Sequence, residues 1–221
     1  MIPVSVLVVA KAPVPGLAKT RLAAGVGDDA AAEIAAAALL DTLDAVAEAS
    51  VTARVVALTG NLGDAKRSSE IHSRLADFVV ISQRGEDFAD RLANAHLDAA
   101  SATGGLPVLQ IGMDTPQVNP ELIGQCAQAL ADNDAVLGLA RDGGWWVLGV
   151  TDAATAACLR GVPMSAPDTG AETLAALQRT GIMVELVGEL ADVDTLDDVE
   201  VVRRACPPES RFSRAAARVR A

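Results

Sequence analysis

The chain has 221 residues, a formal net charge of −11, and 51% hydrophobic residues of which few are aromatic. Such acidity disfavours a nucleic-acid binder, which presents a basic face, and no apolar run reaches the 18 residues a membrane helix needs. The length suits one domain with a full core. The three cysteines, Cys126, Cys158 and Cys206, form no C-x-x-C pair and fit a reducing cytoplasm. His72 and His96 have no companion at ligand spacing, so zinc is not expected.

Val4 to Ala10 is an apolar run interrupted only by Ser5, the pattern of a buried strand rather than of a signal peptide, since no basic segment precedes it. Lys11 follows. Then come Pro13, Pro15 and Gly16, which break regular structure, and then Lys19, Thr20 and Arg21. Ligands of α/β sheets bind at the carboxyl ends of strands, and helix N-termini add free N–H groups. A loop with three cations directly after the first strand therefore suits a polyphosphate, with Lys11, Pro13, Gly16, Lys19, Thr20 and Arg21 as its candidate residues. It is not a Walker A loop, because Ala18 rather than glycine precedes Lys19. The plainer alternative is a solvated turn.

Asp28 and Asp29 open an alanine-rich helix to about Ser50, with acids where the helix dipole favours them. The G-x-G-x-x-A match at residues 25–30 follows no strand and is not a dinucleotide fingerprint. Ala53–Thr59 reads as a second strand, residues 60–63 as a turn into a short helix, Phe78–Ser82 as a third strand. Glu86 to about Ser101 is helical, with Phe88, Leu92, Ala95 and Ala99 on one face.

Leu106–Gly112 is a fourth strand, and Asp114 follows it by two residues. A carboxylate at that edge suits Mg²⁺ or Mn²⁺, hard cations that bridge to phosphates; capping a turn is the competing role. After a helix over Pro120–Asp132 come two close strands, Ala135–Ala140 and Trp145–Val150, which break the strand–helix alternation and predict an antiparallel member of a mostly parallel sheet. Between them, Asp142 heads a turn through Gly143 and Gly144. Trp145 and Trp146 point to opposite faces, one into the core and one free to stack on a ring. Thr169–Thr180 is a helix ended by Gly181, Ile182–Val187 a last strand, and Asp197–Ala205 a last helix. In the segment before that helix, Asp192 and Asp194 fall on one side of an extended stretch and are the better second metal ligands, while Thr195 with Asp198 resembles a capping box. The tail from Cys206 carries Arg211, Arg214, Arg218 and Arg220 and reads as a basic helix docked on an acidic surface, or as a frayed end.

The ordered set "KAPVPGLAKTRL", "IGMDTP", "DGGWW" and "DVDT" resembles the small bacterial proteins of the glycosyltransferase A superfamily, those labelled uncharacterised or arsenosugar-biosynthesis glycosyltransferases. More distantly it is similar to phospholactate and molybdenum-cofactor guanylyltransferases. The likeness runs to about residue 205. Met164 stands where the family commonly has Trp, and Ala89 where it has Gly, although Gln83 and Arg91 keep the pattern.

The resemblance implies a three-layer α/β/α sandwich with a mostly parallel mixed sheet, the nucleotide-diphosphosugar transferase fold, as one domain over residues 1–205 with a basic tail over 206–221. It implies a cytoplasmic, metal-dependent transferase with a nucleotide sugar or an NTP as donor and a small-molecule acceptor. Neither nucleic acid nor membrane is a partner, and a homo-oligomer is compatible. Glycosyl transfer leads, nucleotidyl transfer is the alternative, and a non-catalytic nucleotide-binding protein is the reading from another class. Lys11, Lys19 and Arg21 then neutralise phosphates. Asp114 with Asp192 or Asp194 holds Mg²⁺ or Mn²⁺. Asp142, Gly143, Gly144, Trp145 and Trp146 line the acceptor side. Asp114, Asp142 and Lys19 are the candidate catalytic residues.

Overall fold

The computed structural model describes residues 1–219. Its centre is a seven-stranded sheet in the order β3-β2-β1-β4-β6-β5-β7. The strands are β1 (Ile2–Lys11), β2 (Val51–Thr59), β3 (Val79–Ser82), β4 (Val108–Gly112), β5 (Ala135–Ala140), β6 (Trp145–Val150) and β7 (Val184–Leu190). Only β6 runs against its neighbours, pairing antiparallel with β4 and β5. The remaining pairs are parallel. The close strand pair therefore does what its spacing predicts: it inserts one reversed strand into a parallel sheet.

The sheet is covered on both faces. Val4, Val6, Val8 and Ala10 of β1 point toward α2 (Asp28–Glu48), α3 (Ser68–Leu75) and α5 (Pro120–Asp132). Leu7 points the other way, toward α4 (Phe88–Ala102). A 3-10 segment over Ala153–Gly161 and α6 (Thr169–Arg179) complete that second layer, packing under β5 and β6. Burial on both faces is why β1 is apolar without alternation.

Helix α2 is buried nearly all round, and the reason lies beyond the sheet. Leu22 of α1 (Thr20–Val26), Val199 and Val202 of α7 (Leu196–Ala205), and Phe212 and Ala216 of α8 (Arg211–Arg218) close over its outer side. The basic tail is thus a docked helix. Arg211 donates to Asp41 (3.2 Å) and Asp44 (2.5 Å), and Phe212 is fully buried. Arg220 lies outside the described residues. The sequence reading misses α1 and the 3-10 segment: α1 has seven residues after a proline-rich loop, too short for a helical period to declare itself. Among the described residues no helix is long and apolar enough to cross a membrane.

Candidate functional site

A cleft of about 950 Å³ opens along the sheet edge where β1, β4, β5 and β7 end and the reversed β6 begins. All four sequence segments reach it.

The first segment leaves β1 at Lys11, whose backbone N–H meets the Met113 sulfur at 3.1 Å, so the β1 and β4 exits are joined at once. Pro13 is buried, and its carbonyl accepts the Lys66 N–H at 3.0 Å. Gly16 turns at φ 76° beside Asp28. Pro13 and Gly16 are not among the residues that line the cleft. Lys19 takes a left-handed conformation, φ 50° and ψ 48°, directly before α1. That conformation costs a residue with a Cβ on the order of 1 kcal/mol. It sends the side chain across the cleft. Lys11, Lys19, Thr20 and Arg21 all line the wall.

Opposite stands Asp114. Gly112 makes room for it, since a Cβ there would lie 2.6 Å from the Asp114 carboxylate. Lys19 Nζ donates to Asp114 Oδ2 at 2.6 Å, and Arg21 donates to Asp194 Oδ2 at 2.7 Å. Two ion pairs therefore cross the cleft, between segments 95 and 173 residues apart in sequence. Burial by itself would lower the Lys19 pKa. Asp114, with Asp194 and Asp192 behind it, outweighs that and holds the ammonium above its ordinary value. Arg21 is raised as well, chiefly by its hydrogen bond to Asp194.

The Asp192–Asp194 segment is stitched to the Asp114 loop by its backbone. The Val193 N–H donates to the Asp114 carbonyl at 3.1 Å, and the Gln117 side chain donates to the Ala191 carbonyl. Gln117 carries no signal in the sequence that would single it out. Asp198 accepts the Thr195 N–H at 2.7 Å, as the capping reading expects. Burial pushes the Asp192 carboxyl up to about 6, and the Asp114 and Asp142 carboxylates add to the shift against the pull of Lys19.

Asp114 and Asp192 thus share one field, while Asp194 is turned to Arg21. Among the described residues no three acidic, imidazole or thiol groups form a closed metal cluster. This donor set fits an ion of the Mg²⁺ type, which takes one or two carboxylates and completes its shell with water and phosphate oxygens. It does not fit a caged structural ion.

On the far side the β5–β6 turn is pinned by close approach. Gly143 sits at φ 91°, where a Cβ would collide with the Pro167 carbonyl, and its own carbonyl accepts the Gly170 N–H at 2.7 Å. Gly144 lines the cleft, and Gly143 is not among its lining residues. Asp142 lines the cleft and accepts the Gly144 N–H at 2.8 Å. Both tryptophans line the cleft: Trp146 is buried, with its indole N–H on the Gly188 carbonyl at 2.8 Å, and Trp145 is half-buried. Gln83, legible only through the resemblance, donates to the Ala10 and Ala57 carbonyls at 2.8 and 2.9 Å and ties the ends of β1 and β2. Phe88 and Arg91 of α4 close the same wall.

Comparison with known proteins agrees with this architecture. A crystal structure from Desulfovibrio desulfuricans G20, provisionally named a nucleotide-diphospho-sugar transferase, superimposes with a TM-score of 0.86 at 25% identity, over 100% of this chain and 98% of that one. A cytidylyltransferase from Leptospira borgpetersenii matches with a TM-score of 0.59 at 13% identity, covering 100% and 94%. The Rv0371C protein of Mycobacterium tuberculosis H37Rv, solved in complex with manganese, matches at 0.54 and 17% identity, covering 90% and 97%. The last two likenesses concern the fold. No curated protein matches the sequence. A family model matches residues 42–166, from α2 to the loop before α6. The chain therefore belongs to the family described as "Uncharacterized protein conserved in bacteria" (DUF2064).

Proposed function

We propose that the protein is a transferase using a nucleotide-activated donor, and that it moves a glycosyl group from a nucleotide sugar to a small acceptor. The observation that carries this reading is the Lys19–Asp114 contact at 2.6 Å. It sets a phosphate-binding cation and a metal-type carboxylate face to face in one cleft. The fold shared with the Desulfovibrio desulfuricans protein, named for nucleotide-diphospho-sugar transfer, supports the same donor class.

In this reading Lys11, Lys19 and Arg21 neutralise the donor phosphates. Asp114 and Asp192 would hold Mg²⁺ or Mn²⁺, which supplies charge stabilisation for the departing diphosphate. Trp145 offers a flat apolar wall for a sugar or base ring. Asp142 has one oxygen engaged by the Gly144 N–H. Its other oxygen takes the proton of the acceptor hydroxyl as the bond to the sugar forms.

Nucleotidyl transfer from an NTP is the second reading. It is favoured by the number of cations on the β1 loop, which suits three phosphates better than two. Ligand-dependent melting separates the two readings. UDP- or GDP-sugars with Mn²⁺ should raise Tm, and Asp114→Asn should abolish the shift. Stabilisation by NTPs with Mg²⁺ alone would reverse the order. No shift with any nucleotide would end both readings and leave a protein that kept the fold without the ligand.

A further inference from the structure

We propose that Arg91, backed by the Phe88 ring, binds an anionic oxygen group on the acceptor, a carboxylate or a phosphate, so that the transferase acts on an acidic acceptor. The proposal rests on the transferase reading for the word acceptor; the anion site itself stands on the geometry of α4.

Arg91 lies in the early turns of α4 and lines the cleft. Its guanidinium carbon stands 5.7 Å from the centroid of the Phe88 ring, one helical turn before it. Phe88 is 43% exposed and also lines the cleft, so its ring is open to a bound molecule. The Arg91 Nε atom is buried and has no hydrogen-bond partner, and among the described residues no carboxylate pairs with the guanidinium.

The neighbourhood makes this more than a missed contact. Arg84 is held by Asp98 and Arg160 by Asp90, both bridges ending on α4. Asp90, next to Arg91 in sequence, also accepts the Glu86 N–H. Asp87 caps the helix through the Asp90 N–H at 2.8 Å. These nearby acids are directed away from Arg91. Its backbone is held by the Arg91 N–H on the Asp87 carbonyl at 3.1 Å, and Gly85, at φ 141°, packs so closely that a Cβ there would lie 2.8 Å from the Arg91 N.

Across the cleft, Lys19 and Arg21 already face Asp114 and Asp194. Arg91 lines the same cleft without such a partner. A guanidinium with no carboxylate of its own, at a cleft in an acidic protein, can offer its planar fork to a bidentate anion. The phosphates of the donor are the other source of such an anion, so the test must separate the two.

The experiment uses the full chain as wild type, R91Q and R91K, each checked for native circular dichroism and Tm. Inorganic phosphate is titrated by calorimetry into protein already saturated with UDP and Mn²⁺, where the β1 loop is occupied. The expected result is a phosphate-binding event in wild type that weakens about tenfold or more in R91Q, as loss of charge-assisted hydrogen bonds requires. R91K should fall between, while UDP–Mn²⁺ affinity changes less than twofold in either variant. Unchanged phosphate binding in R91Q overturns the proposal. So does a matching loss of UDP–Mn²⁺ affinity, which would give Arg91 to the donor. If wild type binds no nucleotide, the transferase reading fails, and the same phosphate titration on free protein, R91Q against wild type, decides the anion site. If R91Q does not fold, R91K decides: phosphate binding equal to wild type overturns the proposal.

Discussion

Replacing Lys19 by methionine should make the protein bind Mn²⁺ more tightly and nucleotide more weakly. The Lys19 ammonium and the Asp114 carboxylate are 2.6 Å apart, with 12% and 30% of their side chains exposed. At an effective dielectric of about 20 the gross attraction at that distance is about 6 kcal/mol. Most of it offsets the desolvation of the two charges. What a competing ion must displace is a charge-assisted hydrogen bond with a net worth of about 1.5–3 kcal/mol. Each 1.4 kcal/mol is a factor of about ten, so Mn²⁺ should bind K19M between about 10 and 100 times more tightly in the absence of nucleotide. Methionine keeps the length of the side chain and its packing. If Lys19 neutralises a donor phosphate as proposed, metal-free UDP should bind the same variant about tenfold more weakly. The two ligands should then assist each other less than in wild type, where both must arrive to re-satisfy Lys19 and Asp114. Calorimetry of MnCl₂ with and without UDP measures all four corners of this cycle. Equal or weaker Mn²⁺ binding by free K19M would refute the reasoning, because it would mean that Lys19 does not compete for Asp114.

Four further outcomes follow from the geometry. Asp192→Asn should raise the free energy of unfolding at pH 7.5 by about 1–2 kcal/mol after allowing for solvent screening, as read by urea unfolding. The Asp192 carboxyl is raised to about 6, so its ionisation above that pH opposes folding, and the gain should vanish near pH 4. His96 is fully buried, and burial pushes its pKa down to about 4, with Gln110 pulling weakly the other way. The unfolded chain takes up its proton near 6.5, so wild type should lose about 2–3 kcal/mol between pH 7 and pH 4.5 that His96→Gln does not lose, as read by urea unfolding. Phe212→Ala should cost about 3–5 kcal/mol, the range for a fully buried aromatic. A loss under about 1 kcal/mol would mean that α8 is not part of the fold. Gly143→Ala should lower Tm sharply, since its Cβ meets the Pro167 carbonyl at a positive φ.

The elements that speak plainly in the sequence are those whose pattern has one cause. The β1 run is apolar because both of its faces are covered. Trp145 and Trp146 differ in exposure, half-buried and then buried, as neighbours on a strand do. Asp114 and Lys19 are readable as cleft residues because strand ends are where α/β sheets bind ligands. Other features depend on partners far along the chain and leave no local trace. Helix α2 looks merely alanine-rich until α8 is seen on its outer side. Pro13 and Gly16 sit in the cation loop yet are not among the residues that line the cleft, and no spacing rule separates the loop residues that line it from those that do not. The glycines at 143 and 144 carry a backbone approach by residues 163–170, a contact that only the folded chain reveals.

The late position of α7 and α8 has a consequence for how the molecule is made. A ribosome delivers the cation loop and α2 first, and their oily outer surface at Leu22 and Ile34 stays open until residues 196–216 have emerged. The acidic lip at Asp192 and Asp194 arrives only shortly before them. A nascent chain halted at residue 180 would carry six of the seven strands, half of the cleft rim and a sticky flank. Synthesis should therefore be vulnerable to aggregation until residues 196–216 have emerged.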